Sequence, residues 1–222
     1  MKYFLDTEFI EGFHKPLFGK RRHFIDLISL GIVCEDGREY YAISNEFNAK
    51  DADEWVRMHV IAPLQDKMVG FYDSPRRKAE SLLYKSNVQI ANDILAFVYP
   101  EIFKNFKTAE KEFYQRTRQY GWNGDQPEFY AYYADYDWVL FCSLFGRMID
   151  LPNGFPMYCR DLKQMADEKI SASEVRSIGY DAAVKRLKLK PGYPGQSNEH
   201  NALADAKWNK QLYLWLTDIK RW

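Results

Sequence analysis

Residues 2–9 read KYFLDTEF, a run of apolar and aromatic residues interrupted by two carboxylates, Asp6 and Glu8, spaced two apart. The segment has strand composition, and because side chains alternate with period two along a strand, Asp6 and Glu8 point to one face, close enough to share a cation. Downstream, Ile25 to Cys34 (IDLISLGIVC) and Arg38 to Ser44 (REYYAIS) are also strand-like, with Asp36-Gly37 as the turn between them. Three strands in succession predict a meander opening the chain.

Beyond the meander the periodicity changes. Asp51 to His59 has acidic residues in its first turn and apolar Trp55, Val56 and Met58 behind them, which predicts a short helix ending near Pro63. Ser74-Pro75 looks like an N-cap with proline at the first helical position. From there to Val98, Leu82, Leu83, Ile90, Ile94, Leu95 and Val98 recur mostly at helical spacing, as one long helix or two. Tyr99 to Pro127 mixes aromatic and cationic residues without clear period and reads as an insertion. Phe129 to Tyr133 is an aromatic strand, followed by Asp135-Tyr136-Asp137 and an apolar helix from Trp138 to Met148. Met157 to Cys159 is a brief strand before a helix from Asp161 to about Lys169. Tyr180 to Leu189 is a helix with a basic face, Pro191 to Gly195 a loop, and Asn201 to Ile219 a final amphipathic helix. Three leading strands followed by alternating helices and strands predict an α/β fold, a mixed sheet flanked by helices, in one domain spanning residues 1–222.

Composition limits what such a domain can do. With 46% hydrophobic and 28% charged residues the chain is globular, and 31 basic against 31 acidic side chains leave no global cationic field, so any nucleic-acid contact must be local. The longest nearly apolar run, Leu27 to Cys34, falls far short of the ~20 residues that cross a bilayer, and no secretory signal is visible. Cys34, Cys142 and Cys159 are widely spaced and suit reduced thiols of a cytoplasmic protein rather than a disulfide set or a zinc site.

Three places can carry chemistry. Asp6 and Glu8 are costly to bury unless paired or metal-bound, although an edge strand would leave them solvated. Asp137 stands where an aromatic strand passes into a helix, a position that lines sites in α/β folds but also suits helix capping, for which Asp135 serves equally. His200 and Asp205 open the last helix. Five helical steps separate them by roughly 140°, so they converge only if His200 lies in the preceding loop and folds back. A histidine beside metal-binding carboxylates suits a general base for water, while taken singly it is an ordinary capping or surface residue.

Taken in order, Asp-x-Glu near the N-terminus, Tyr-Asp at the head of a mid-chain helix and His-x4-Asp opening the last helix resemble the DEDDh 3'-5' exonucleases, with their ribonuclease-H-like fold. Tyr3 to Ile10, Asp26 to Glu39 with Tyr40-Tyr41-Ala42, and Trp55-Val56-Arg57 are most similar to the mycobacterial polyadenylate-specific exoribonuclease AS group. Residues 11–24 and 99–127 are longer than that group needs. The resemblance implies that Asp6, Glu8, Asp137 and Asp205 hold two Mg²⁺ or Mn²⁺ ions, with His200 as general base. It further implies release of nucleoside 5'-monophosphates from a single-stranded RNA 3' end, with adenylate preferred, and a homodimer. Phe9 and Ile10 would pack on the terminal bases, with simple core packing as the alternative. Of the basic clusters, Lys20-Arg21-Arg22, Arg76-Arg77-Lys78 and Lys185 to Lys190, the last is the favoured phosphate track, with Lys185, Arg186 and Tyr193 as its contacts. Two competing readings stand: a proofreading or repair exonuclease acting on DNA, and a catalytically silent nucleic-acid-binding module. Gly12 to Lys20 mimics a phosphate loop but lacks its glycine spacing and its Ser or Thr.

Overall fold

A computed structural model describes residues 1–14, 18–66, 81–103 and 126–218. Six strands, β1 (Lys2–His14), β2 (Arg22–Cys34), β3 (Glu39–Ser44), β4 (Tyr84–Lys85), β5 (Glu128–Ala131) and β6 (Arg160–Asp161), form one sheet in the order β4-β3-β2-β1-β5-β6. The meander β1-β2-β3 is antiparallel, whereas β4, β5 and β6 each add in parallel. A mixed α/β sheet of this order, flanked by helices, is compatible with a ribonuclease-H-like fold.

Alternation along β1 divides the core. Tyr3 and Leu5 face α3 (Asn87–Val98), through Ile90, Ile94 and Leu95, and α5 (Ala134–Ser143), through Trp138 and Phe141. Phe4 points the other way. It joins Tyr130 with Leu162 of α6 (Leu162–Asp167), Leu187 of α8 (Tyr180–Lys188), and Trp208 and Leu212 of α9 (Ala202–Thr217). A third cluster, Ile10, Ile28 and Ile43, lies under Val60, Ile61 and Leu64. Those three belong to a helical run of α1 (Glu54–Val56), a π-helical stretch (Arg57–Ile61) and α2 (Ala62–Asp66). Among the described residues, the remaining α-helices are α4 (Pro100–Phe103) and α7 (Ala172–Ile178).

Several expected boundaries are corrected. The first two strands continue as a paired ribbon to His14 and Arg22, well past Phe9 and Ile25, which accounts for part of the extra length in residues 11–24. The helix opening near Asp53 does not stop at Pro63; a π-helical stretch widens the turn ahead of the proline and accommodates its missing amide. Of its apolar residues, Trp55 and Met58 are exposed while Val60 and Ile61 are buried. The helix expected through Leu82 and Leu83 is instead broken by β4, after which Ser86 starts α3 with a capping box to Gln89. Ser74-Pro75, Arg76-Arg77-Lys78 and residues 104–125 of the expected insertion lie outside the described residues. The brief strand falls at Arg160–Asp161 rather than Met157 to Cys159, and Asp161 caps α6.

Candidate active site

β1 is an interior strand of the sheet, but Asp6 and Glu8 lie past the stretch paired on both sides, and it is packing against that edge rather than strand order that shields them. β5 pairs with β1 only along Lys2–Phe4. Beyond that register the edge of β1 is open, and the chain leaving β5 turns at Tyr133, in the left-handed region at φ 58°, into α5. The first turn of α5 carries Asp137 against this open edge. There Asp137 Oδ1 accepts from the Thr7 backbone N–H at 2.9 Å and from the Thr7 hydroxyl at 2.6 Å. Asp137 is buried and Asp135 exposed, so the inward-turned carboxylate is Asp137, and it caps a strand edge rather than its own helix.

The third group arrives from the opposite end of the chain. Asp6 pairs with Gly31 across β1-β2, and the backbone of Ala202 and Leu203 lies directly on Gly31. A Cβ at Gly31 would stand 2.3 Å from the Ala202 carbonyl oxygen. This close approach seats the start of α9 on the sheet, with Asn201 as N-cap, and turns Asp205 toward Asp6 and Glu8. Carboxylate oxygens of Asp6, Glu8 and Asp205 all lie within 4.8 Å of one another, a cluster that could hold a metal ion. Gln196 Nε2 donates to Asp205 Oδ1 at 2.7 Å and fixes that carboxylate.

Electrostatics follows from placing four acids together in a shielded site. Burial pushes Asp6 well above the usual carboxylate range, and the charges of Asp137, Glu8 and Asp205 push it further. Glu8 is raised to about 8 by burial and by Asp205 and Asp137. Asp137 is raised to about 7 by burial, against the lowering effect of its two Thr7 hydrogen bonds. Asp205 is raised by burial and held back by Gln196 and by His200. Such groups titrate as a set, and a divalent cation among them would remove the repulsion and keep them ionised. An all-oxygen donor set matches hard cations such as Mg²⁺ or Mn²⁺.

His200 lies in the loop before α9 at φ 65°, close to Asp205. Its ring meets Trp55 edge-on, with centroids 4.7 Å apart, and Trp55 in turn stacks on His59 at 4.8 Å. Sequence reasoning missed Trp55 and His59 as neighbours of His200, and also Thr7, Gln196 and Tyr41. The Tyr41 hydroxyl is buried, close to Ser29 and Asn201 and near enough to feel the charge of Glu8. Thr7 was legible as the middle residue of Asp-Thr-Glu; nothing in sequence spacing marks the others.

The expected substrate contacts fare unevenly. Phe9 is half-buried and stacks on Tyr136, with ring centroids 5.5 Å apart. Ile10 is enclosed in the third core cluster and offers no surface to a base, because the helical run over residues 54–66 covers it. Arg186 pairs with Glu174 at 3.5 Å, Lys185 is exposed on α8, and the Tyr193 ring packs edge-on against Trp215. Tyr193 is therefore part of the packing beside α9, and the structure does not gather these three into the acidic cluster.

Fold and site together define an α/β protein with a carboxylate cluster at the centre of its sheet, of a kind suited to hard divalent cations. No protein-family model matches the chain. Over 169 residues, 76% of its length, it is 34% identical to 3'-5' exoribonucleases of two Mycobacterium tuberculosis strains, CDC 1551 / Oshkosh and ATCC 25618 / H37Rv, covering 76% of each. The chain belongs to this family of 3'-5' exoribonucleases.

Proposed function

We propose that the protein is a metal-dependent 3'-5' exoribonuclease of the DEDDh type, releasing nucleoside 5'-monophosphates from single-stranded RNA. The observation that carries this reading is the convergence of Asp6, Glu8 and Asp205, with Asp137 and His200 beside them, from three separate parts of the chain. Asp6, Glu8, Asp137 and Asp205 would hold two Mg²⁺ or Mn²⁺ ions, which supply Lewis-acid stabilisation of the phosphate and lower the pKa of the attacking water. Thr7 and Gln196 orient Asp137 and Asp205, so the donor set is arranged before substrate arrives.

His200 takes the proton of the water on a ring nitrogen. The Phe9–Tyr136 pair offers an aromatic face to the terminal base, a contact tolerant of base identity. A preference for adenylate, a homodimer in solution and a cytoplasmic location complete the reading. Among the described residues, no helix is long and apolar enough to cross a membrane.

Product analysis on 5'-end-labelled RNA, with Mg²⁺ or Mn²⁺ and with chelator, tests the proposal. Stepwise shortening from the 3' end with release of mononucleotides is expected. Faster cleavage of the matched DNA strand would transfer the activity to DNA, and RNA binding without cleavage would leave a silent binding module.

A further inference from the structure

The ribbon of β1 and β2 extends beyond the sheet. β2 pairs with β3 only along Ser29–Val33 and β1 with β5 only along Lys2–Phe4, yet β1 and β2 remain paired out to His14 and Arg22. The outer residues thus form a two-stranded arm growing from the strand that carries Asp6 and Glu8. Its surface is aromatic and cationic. Phe13 is 54% exposed, the Arg21 guanidinium lies 4.4 Å from its ring centroid, and His23 meets it edge-on at 5.4 Å. Lys20, Arg21 and Arg22 are all exposed, and the nearby acid Glu11 is paired with His23 at 2.9 Å.

Alternation along β1 places Phe13 on the same side as Thr7 and Phe9. That side carries, in order, the buried Thr7 contact to Asp137, the Phe9–Tyr136 stack, the Glu11–His23 pair and the Phe13–Arg21 pair, while Asp6 and Glu8 point to the other face and meet this line at Asp137 on the strand edge. From Phe9 to Phe13 is roughly 14 Å at strand rise. Aromatic rings along the line with cations gathered at its outer end suit a single strand of nucleic acid, since bases stack on the rings and phosphates meet the cations. A chain of zero net charge must concentrate this capacity locally.

We propose that this arm binds the single-stranded RNA segment upstream of the 3'-terminal nucleotide, so that the enzyme favours long single strands over short ones. The proposal rests on the exoribonuclease reading for the identity of its ligand, and its test is built to fail separately. The perturbation is the double variant Phe13→Ala/Arg21→Ala, which alters exposed side chains and spares the acidic cluster. Affinity for a fluorescein-labelled single-stranded RNA longer than ~16 nucleotides is measured by anisotropy in chelator, where no cleavage is needed. Wild-type binding should weaken roughly ten- to a hundredfold in the variant, and the slope of log affinity against log salt should fall by about one. With metal, KM for the long strand should rise by a similar factor while kcat, and turnover of a dinucleotide, stay unchanged. A wild-type protein that binds RNA through the arm but releases no nucleotide would sink the catalytic reading and keep the arm. Unchanged affinity for the long strand, an equal loss on the dinucleotide, or a shift in oligomeric state with binding intact would overturn the arm's role.

Discussion

Replacing Gly31 by alanine should dismantle the site without touching any of its acids. The added Cβ would stand 2.4 Å from the Ala202 carbonyl carbon and 2.5 Å from the Leu203 Cα. Carbon atoms settle about 3.5–4.0 Å apart, so the two segments must separate by about 1 Å. β2 is held between β1 and β3, so the element that yields is the start of α9, three residues from Asp205. Overpacking of this kind costs about 1–3 kcal/mol of stability. A displacement of about 1 Å in a catalytic group costs on the order of a hundredfold in rate. Denaturant unfolding measures the first quantity, and turnover of end-labelled RNA with Mn²⁺ the second. Gly195→Ala, where a Cβ meets nothing within 4 Å, is the control and should change little. Wild-type turnover and stability in Gly31→Ala would refute the reasoning, because they would mean that α9 does not rest on this glycine.

Asp6→Asn, Asp137→Asn and Asp205→Asn should each abolish turnover while leaving the metal-free protein as stable or more so, since each removes repulsion along with a ligand; thermal unfolding beside activity checks both halves. If Asp135→Asn were inactive and Asp137→Asn normal, the assignment of the second motif would be wrong. His200→Ala should lower turnover about 10²- to 10⁴-fold yet leave calorimetric Mn²⁺ affinity nearly unchanged, with partial recovery at high pH that Asp205→Asn does not share; more than about a third of normal turnover would remove the general-base role. Because Glu8 and Asp137 are raised to about 8 and about 7, the folded metal-free protein binds more protons than the unfolded chain above pH ~4. Their contribution is therefore fully present in acid and is lost as pH rises toward 8, and saturating Mn²⁺ should flatten that decline in a pH series of melting curves. Poly(A) should be degraded faster than poly(U), and equal rates would remove the adenylate preference alone.

The strand period of KYFLDTEF, the turn at Asp36-Gly37 and the helical periods of α6, α8 and α9 were legible because local patterning sets them, and they sufficed for a mixed α/β sheet. The pairing of Asp6 with Glu8 was legible for the same reason, as was the need for His200 to lie in the loop before α9. Burial was not. Trp55 reads as a core residue and stands exposed against His200, while Ile10 reads as a platform and is covered by residues 54–66, because which face of a strand or helix is covered depends on elements distant in sequence. Choosing between Asp135 and Asp137 required the register in which β5 stops short and leaves Thr7 N–H free to be capped. The role of Gly31 was invisible for the plainest reason: a glycine in a strand announces a close approach but not what approaches, and only the packed fold brings Ala202 to within contact of a position 171 residues earlier in the chain.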